Sequence, residues 1–229
     1  MCARYAYFSS GNITRRFEIR EPIGYKINKS YNIGPGSINP TVIRQSPNSI
    51  LMMKFGLVPY WAKDPSIGYK MFNARSENIE NKPSFRKPIK SQRCLVPCDG
   101  FYEWMTVTLE DKPEKVPWYF SLKDKTTFSL AGIFDVWKDA EQKETYSFAI
   151  ITTTPNELIT KVHDRMPVIL SPEDEDKWLD KETTLEDVKK ILKPLPADLM
   201  AGWPVSQRVN KVSNNSSDLI RPFSYPNLP

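Results

Sequence analysis

The chain has 229 residues, of which 40% are hydrophobic, 12% aromatic and 26% charged, a balance that excludes a disordered tract and a fibrous repeat. No stretch approaches the roughly 18 consecutive apolar residues a membrane span needs. The net charge of +5 admits a polyanionic partner without requiring one, because a solvated lysine-rich surface gives the same balance.

The opening residues, Met1-Cys2-Ala3-Arg4-Tyr5, lack the apolar core of a signal peptide, so a cytoplasmic protein is expected, nucleoid-associated if the source is bacterial. In that reducing setting Cys2, Cys94 and Cys98 are expected as free thiols. Twenty prolines cut the chain into short segments rich in aromatic and β-branched residues with partial alternation. The predicted strands are Ser49 to Leu57, Phe101 to Leu109, Trp118 to Leu122, Thr127 to Val136 and Tyr146 to Thr152. Thr154-Pro155-Asn156-Glu157 reads as a capping box opening a short helix that ends near His163. Ser171-Pro172 opens a second helix through Trp178 and Leu179. Thr184 opens a third, with Leu185, Val188, Ile191 and Leu192 on one face before Pro194. The stretch from about 210 has the Ser, Asn and Pro content of a loosely held tail. Composition does not shift between halves, which predicts one domain over residues 1–229. The fold class is α+β, a single domain dominated by short antiparallel strands in a barrel-like twisted sheet flanked by a few helices.

The lone histidine, His163, rules out His-rich metal sites, and Cys94, Cys98 and His163 make a poor zinc set. Cys94 and Cys98 read as small buried apolar side chains. Neither a metal nor a cofactor is expected. Gly-rich phosphate loops and the Gly-x-Ser-x-Gly elbow are absent from the sequence.

Cys2 stands apart by position. A small second residue permits removal of Met1, and the new terminus then carries an α-amine and a thiol on adjacent carbons, with ordinary pKa values of about 7.7 to 8.0 and about 8.5. Such a 1,2-aminothiol attacks an aldehyde through its amine to give an imine, which the thiol closes into a five-membered thiazolidine. By position alone, an accidental cysteine is the competing reading.

Four further segments bear on that choice. They are Lys54-Phe55-Gly56-Leu57-Val58-Pro59-Tyr60-Trp61 with Asn73-Ala74-Arg75-Ser76-Glu77, then Arg93-Cys94-Leu95-Val96-Pro97-Cys98-Asp99-Gly100-Phe101-Tyr102-Glu103-Trp104, then His163-Asp164-Arg165-Met166-Pro167-Val168. With the opening Met-Cys-x-Arg, this ordered set resembles the SOS response-associated peptidase (SRAP) family, the abasic-site processing proteins, from residue 2 to about 170. Weaker echoes continue through Trp203-Pro204-Val205-Ser206.

The resemblance implies that Cys2, exposed by loss of Met1, forms a thiazolidine with the ring-opened sugar of an abasic site in single-stranded DNA, with DNA junctions a further candidate context. It carries over Asn73 as the orienting residue, Glu103 as the acid/base and candidate for the reverse step, and His163 as the second proton-transfer group. Aromatic neighbours in Phe101-Tyr102-Glu103-Trp104 are expected to desolvate Glu103 and raise its pKa. A helix C-terminus is expected to favour protonated His163. Arg4, Arg75 and Arg165 are expected at phosphates. Asn73 and Arg75, two apart, share a face of an extended segment. Trp61, Trp104 and Pro40 are candidate wedges or stacking surfaces for unpaired bases, and Asn32 lies in an Asn-x-x-Pro loop. Residue 3 departs from the family pattern, with Ala3 where glycine is usual. No membrane partner is expected, and the protein is expected to be a monomer. The alternatives are a cysteine peptidase using its terminal amine as base, and a single-stranded DNA binding module without chemistry.

Overall fold

In the computed structural model, residues 2–19, 26–45, 48–109, 112–225 and 228 are described; Met1, the predicted processing site, lies outside them. The strands are β1 (Arg4–Tyr7), β2 (Ser30–Ile33), β3 (Ile38–Ile43), β4 (Ser49–Phe55), β5 (Asn73–Arg75), β6 (Arg93–Cys98) and β7 (Gly100–Leu109), then β8 (Lys112–Leu122), β9 (Phe128–Lys138), β10 (Glu144–Thr153), β11 (Met166–Pro167), β12 (Ile169–Leu170) and β13 (Met200–Pro204). Five of them close on themselves. β3 pairs with β4 and β6, β6 with β9, β9 with β10, and β10 returns to β4. Closure removes the exposed edges of these strands. All these pairings are antiparallel except β10 with β4, and β10 also runs parallel to β5. The fold is the α+β class read from the sequence, with strands dominating.

A second sheet, in the order β13-β8-β7-β1-β2, lies beside the barrel. The two are joined covalently where β6 runs into β7 through Asp99, whose carboxylate accepts from the Phe8 and Ser9 amides at 2.6 and 2.7 Å and from Thr127 Oγ1 at 2.5 Å. Alternation along β7 divides its side chains. Phe101 and Met105 pack into the main core with Trp118 and Phe120, whereas Tyr102 and Trp104 join Tyr119, Val205 and Leu219 in a second cluster. Cys94 and Cys98 are fully buried.

Two helices form as their caps predict: α1 (Pro172–Leu179), where Ser171 accepts from the Asp174 amide, and α2 (Leu185–Ile191), where Thr184 accepts from that of Asp187. The helix expected after Thr154 reduces to a single 3-10 turn, Ile159–Lys161. There the side chain of Asn156, not Thr154, accepts from the Leu158 and Ile159 amides. An Asx cap two residues later competes with the capping box and leaves room for only one turn.

The stretch from about 210, expected as a loose tail, bonds back to the second sheet. Asn215 Oδ1 accepts from the Tyr31 amide at 2.6 Å, Asn214 O from Asn32 Nδ2 at 2.9 Å, and Ile220 O from Trp203 Nε1 at 2.9 Å. Its Ser and Asn residues serve as side-chain anchors as well as turn formers. Among the described residues no helix is long and apolar enough to cross a membrane.

Candidate active site

β1 runs antiparallel to β7 with Arg4 opposite Tyr102, which carries the start of the chain alongside Glu103. β5 lies against β10 with Asn73 opposite Ile150, and from there Asn73 Nδ2 donates to Cys2 O at 3.1 Å, with further acceptors at Phe72 O and Ile150 O. Its Oδ1 is buried with no partner among the described residues. Cys2 is fully buried. Burial, and after it the charge of Glu103, pushes the thiol pKa far up, so the sulfur rests protonated.

Glu103 is 1% exposed, and burial raises its carboxyl to about 7, as the aromatic setting predicts. A carboxyl there exchanges protons at neutral pH in both directions. His163 Nε2 lies 3.7 Å from Glu103 Oε2. Its Nδ1 accepts the Arg165 amide at 3.0 Å, which fixes the neutral ring with its proton on Nε2, facing Glu103. The exposed Asp164 carboxylate, 3.0 Å from the same Nδ1, favours the cation. Burial outweighs it, and the His163 pKa is lowered. This corrects the expectation of a dipole-favoured imidazolium: one 3-10 turn supplies little dipole, and desolvation decides.

Cys2, Asn73, Glu103 and His163 therefore meet in one place, from the segment before β1, from β5 and β7, and from the segment before β11. The predicted nucleic-acid contacts divide. Arg75 is exposed, Trp61 is 46% exposed and the neighbouring Tyr60 56%. Arg4 is committed inward, its Nη1 donating to Asn32 Oδ1 and Val209 O, both at 2.8 Å, and its Nη2 to Asn210 O at 3.1 Å. Asn32 is buried and donates to the carbonyls of Val209, Lys211 and Asn214. Gly34 permits this clamp, since a Cβ there would come within 3.1 Å of Arg4 Nε. Arg165 is 8% exposed and holds Glu77 and Thr152 O. Trp104 Nε1 donates to Asn210 Oδ1 at 2.8 Å. Pro40 is buried in β3 opposite Met52. In these places Arg4, Arg165 and Asn32 are held by partners within the fold, and Pro40 lies buried in its sheet. Ala3 has no positive φ, so its backbone does not require glycine's freedom.

Trp118, unmarked by sequence reasoning, sits directly opposite Glu103 across β7 and β8, its Nε1 buried and without a partner among the described residues. Only the register, which the sequence does not print, signals it. Tyr69 is also exposed, at 57%, beneath Lys54, and Lys87 lies over Tyr60.

A profile of the SOS response associated peptidase (SRAP) family matches residues 1–212. "Abasic site processing protein YoqW" of Bacillus subtilis (strain 168) is 43% identical over 225 residues, which cover 96% of this chain and 99% of that one. "Abasic site processing protein HMCES" of Rattus norvegicus is 33% identical over 230 residues, covering 84% of this chain and 65% of that one. A crystal structure of a protein from Bacteroides thetaiotaomicron superimposes with a TM-score of 0.87 at 26% identity, covering 97% of this chain and 100% of that one.

Proposed function

The chain belongs to the SOS response associated peptidase family, and from that premise we propose that it processes abasic sites in DNA by capturing the lesion covalently through Cys2 once Met1 has been removed. Relatives named as abasic site processing proteins support the lesion as substrate. The observation that carries the chemistry is the meeting of Cys2 with a carboxyl raised to about 7 at Glu103.

The ring-opened deoxyribose presents an aldehyde. The Cys2 amine adds to its carbon to give a carbinolamine, and protonated Glu103 donates to the departing hydroxyl, so that one water leaves and a protonated imine remains. Glu103, now a carboxylate, takes the proton from the Cys2 thiol, whose sulfur adds to the imine carbon, and the C=N electron pair returns to nitrogen, which keeps its hydrogen as the thiazolidine closes. A carboxyl of ordinary pKa would be a poor acid for the first transfer at pH 7, and one raised much higher a poor base for the second. Asn73 holds the Cys2 carbonyl and so fixes the direction of the terminal amine. His163, neutral with its proton on Nε2, relays protons to and from Glu103. Single strands are the preferred substrate in this reading, because the exposed Tyr60 and Trp61 offer ring faces to unpaired bases beside a lesion.

A denaturing gel tests the proposal with Met1-processed protein and a single-stranded oligonucleotide carrying one abasic site. A heat-stable shifted band is expected with the lesion and absent with intact bases, with Met1 retained, and with Cys2→Ala. A lesion-dependent band that survives Cys2→Ala contradicts it.

A further inference from the structure

On the face of the second sheet that joins the main core, Glu103 is a polar side chain in an apolar row. It stands between Phe101 and Met105 on β7, and the residues in register with these three on β8 are Phe120, Trp118 and Val116. Side chains directly opposite one another in an antiparallel pair are the nearest neighbours on a sheet face, with Cβ atoms about 4.5 to 5.5 Å apart. Trp118 holds that place for Glu103, and on its other side it is paired with Pro204 of β13. Its ring lies 6.3 Å from that of Phe120 at an angle of 19°, and Phe120 in turn stacks on Phe101 at 5.5 Å and 26°. Three rings therefore run in a stack along the row that holds the carboxyl.

Exposure divides these neighbours from the group they surround. Met105 and Trp118 are half-buried, while Phe101, Val116, Phe120 and Glu103 itself are buried. Trp118 Nε1 is buried with no partner among the described residues. A buried donor without an acceptor is unfavourable, so no hydrogen bond to those residues accounts for tryptophan here. What the ring gives the position is apolar area beside the carboxyl, which disfavours its charged form. The charged and titratable groups around Glu103 come from three directions: the Cys2 thiol and the α-amine from the chain start, Lys115 from β8, and His163, at 3.7 Å, with Asp164 from the segment before β11. The amine and Lys115 favour the carboxylate and Asp164 opposes it, and burial outweighs these charges.

We propose that Trp118 is a positioning residue for the chemistry at Cys2, its indole serving as the apolar wall that keeps water from the Glu103 carboxyl and so fits that group to give and take protons. The inference rests on the reading of Glu103 as the proton carrier. Trp118 acts through Glu103 rather than on the lesion.

The test reads the carboxyl itself, before any DNA is added. In Met1-processed protein isotopically labelled at the glutamate carboxyl carbons, the Glu103 resonance, assigned by its loss in Glu103→Gln, is expected to titrate at about 7. Trp118→Phe keeps an apolar ring and is expected to hold that midpoint, whereas Trp118→Gln brings in water and a polar group and is expected to lower it below about 6. With an abasic oligonucleotide added, Trp118→Gln is expected to form adduct about tenfold or more slowly than Trp118→Phe at pH 8, where the lower midpoint leaves less of the acid form, and the two rates are expected to converge at pH 5. In the wild type, the Trp118 indole N–H resonance is expected to shift with the Glu103 midpoint and to lose that shift in Glu103→Gln, a reading that holds even if Trp118→Gln does not fold. A wild-type midpoint in folded Trp118→Gln, an equal fall in Trp118→Phe, or an indole resonance blind to Glu103 overturns the proposal. Titrations that move as expected in a protein that forms no adduct support the wall and count against the capture at Cys2 instead.

Discussion

Glu103 concentrates the chemistry because its surroundings, not its side chain, set its pKa. Replacing it with Gln keeps the shape and removes the proton exchange, so adduct formation is expected to slow by about 100-fold or more. The inflection near pH 7 in the wild-type rate profile is expected to vanish in the variant, as followed on quenched gels. Asn73→Ala releases the Cys2 carbonyl held at 3.1 Å, and a drop of roughly 10- to 100-fold in the rate is expected with little change in affinity for intact single strands. Arg165 belongs to a different class. Bonded to Glu77 and Thr152, it is expected on replacement by Ala to cost about 2 kcal/mol in urea unfolding while leaving the salt dependence of DNA binding unchanged. These residues show where sequence reading reaches. Glu103 and His163 are legible because their local motifs are long, and Cys2 because of its position beside Met1. The inward turn of Arg4 and Arg165 is not, because it depends on acceptors far along the chain, at residues 209 and 210 and at Glu77.

At the scale of elements, the closing of β1 and β8 against β7 buries an ionisable group, and this costs stability at high pH. The Glu103 carboxyl rises from an ordinary 4.5 to about 7 on folding, so the native state binds more protons than the unfolded chain between those values. Stability is therefore highest below about pH 4.5 with respect to this group and falls as pH rises through 7, by roughly 3 kcal/mol in all. Glu103→Gln is expected to be more stable than the wild type at pH 8 and to lose most of that advantage at pH 4, in paired urea titrations. The strands are readable from alternation: β4, β7, β9 and β10 lie close to their predicted limits. α1 and α2 are readable from Ser171 and Thr184. The turn at Ile159–Lys161 is not, because Thr154 and Asn156 are alternative caps two residues apart, for different amides, and sequence does not rank them. Nor is barrel closure, since the parallel pairing of β10 with β4 joins segments about ninety residues apart.

Taken whole, the molecule brings Cys2, Asn73, Glu103 and His163 together at the junction of barrel and second sheet. The proposed contacts of Trp61 with bases and of Arg75 with phosphate predict two separable effects. Trp61→Ala is expected to weaken binding to an intact single strand by about 1 to 3 kcal/mol at any salt concentration, as ring stacking does. Arg75→Ala is expected to lower the slope of log affinity against log salt by about 0.7, the value for one fewer phosphate neutralised on a single strand. Fluorescence anisotropy over a salt series separates them. Neither change is expected to abolish the covalent product, because neither residue is among the groups that meet at Cys2. The segment beyond 210 enters at this scale as well, since it anchors β2 and the clamp around Arg4.

Intact-mass and peptide-mapping spectrometry of the product from Met1-processed protein and an abasic oligonucleotide tests the central claim most directly. The account predicts a mass one water below the sum of the two partners, located on Cys2, with that sulfur resistant to alkylation. An adduct whose Cys2 thiol still alkylates, or one located on another residue, contradicts it.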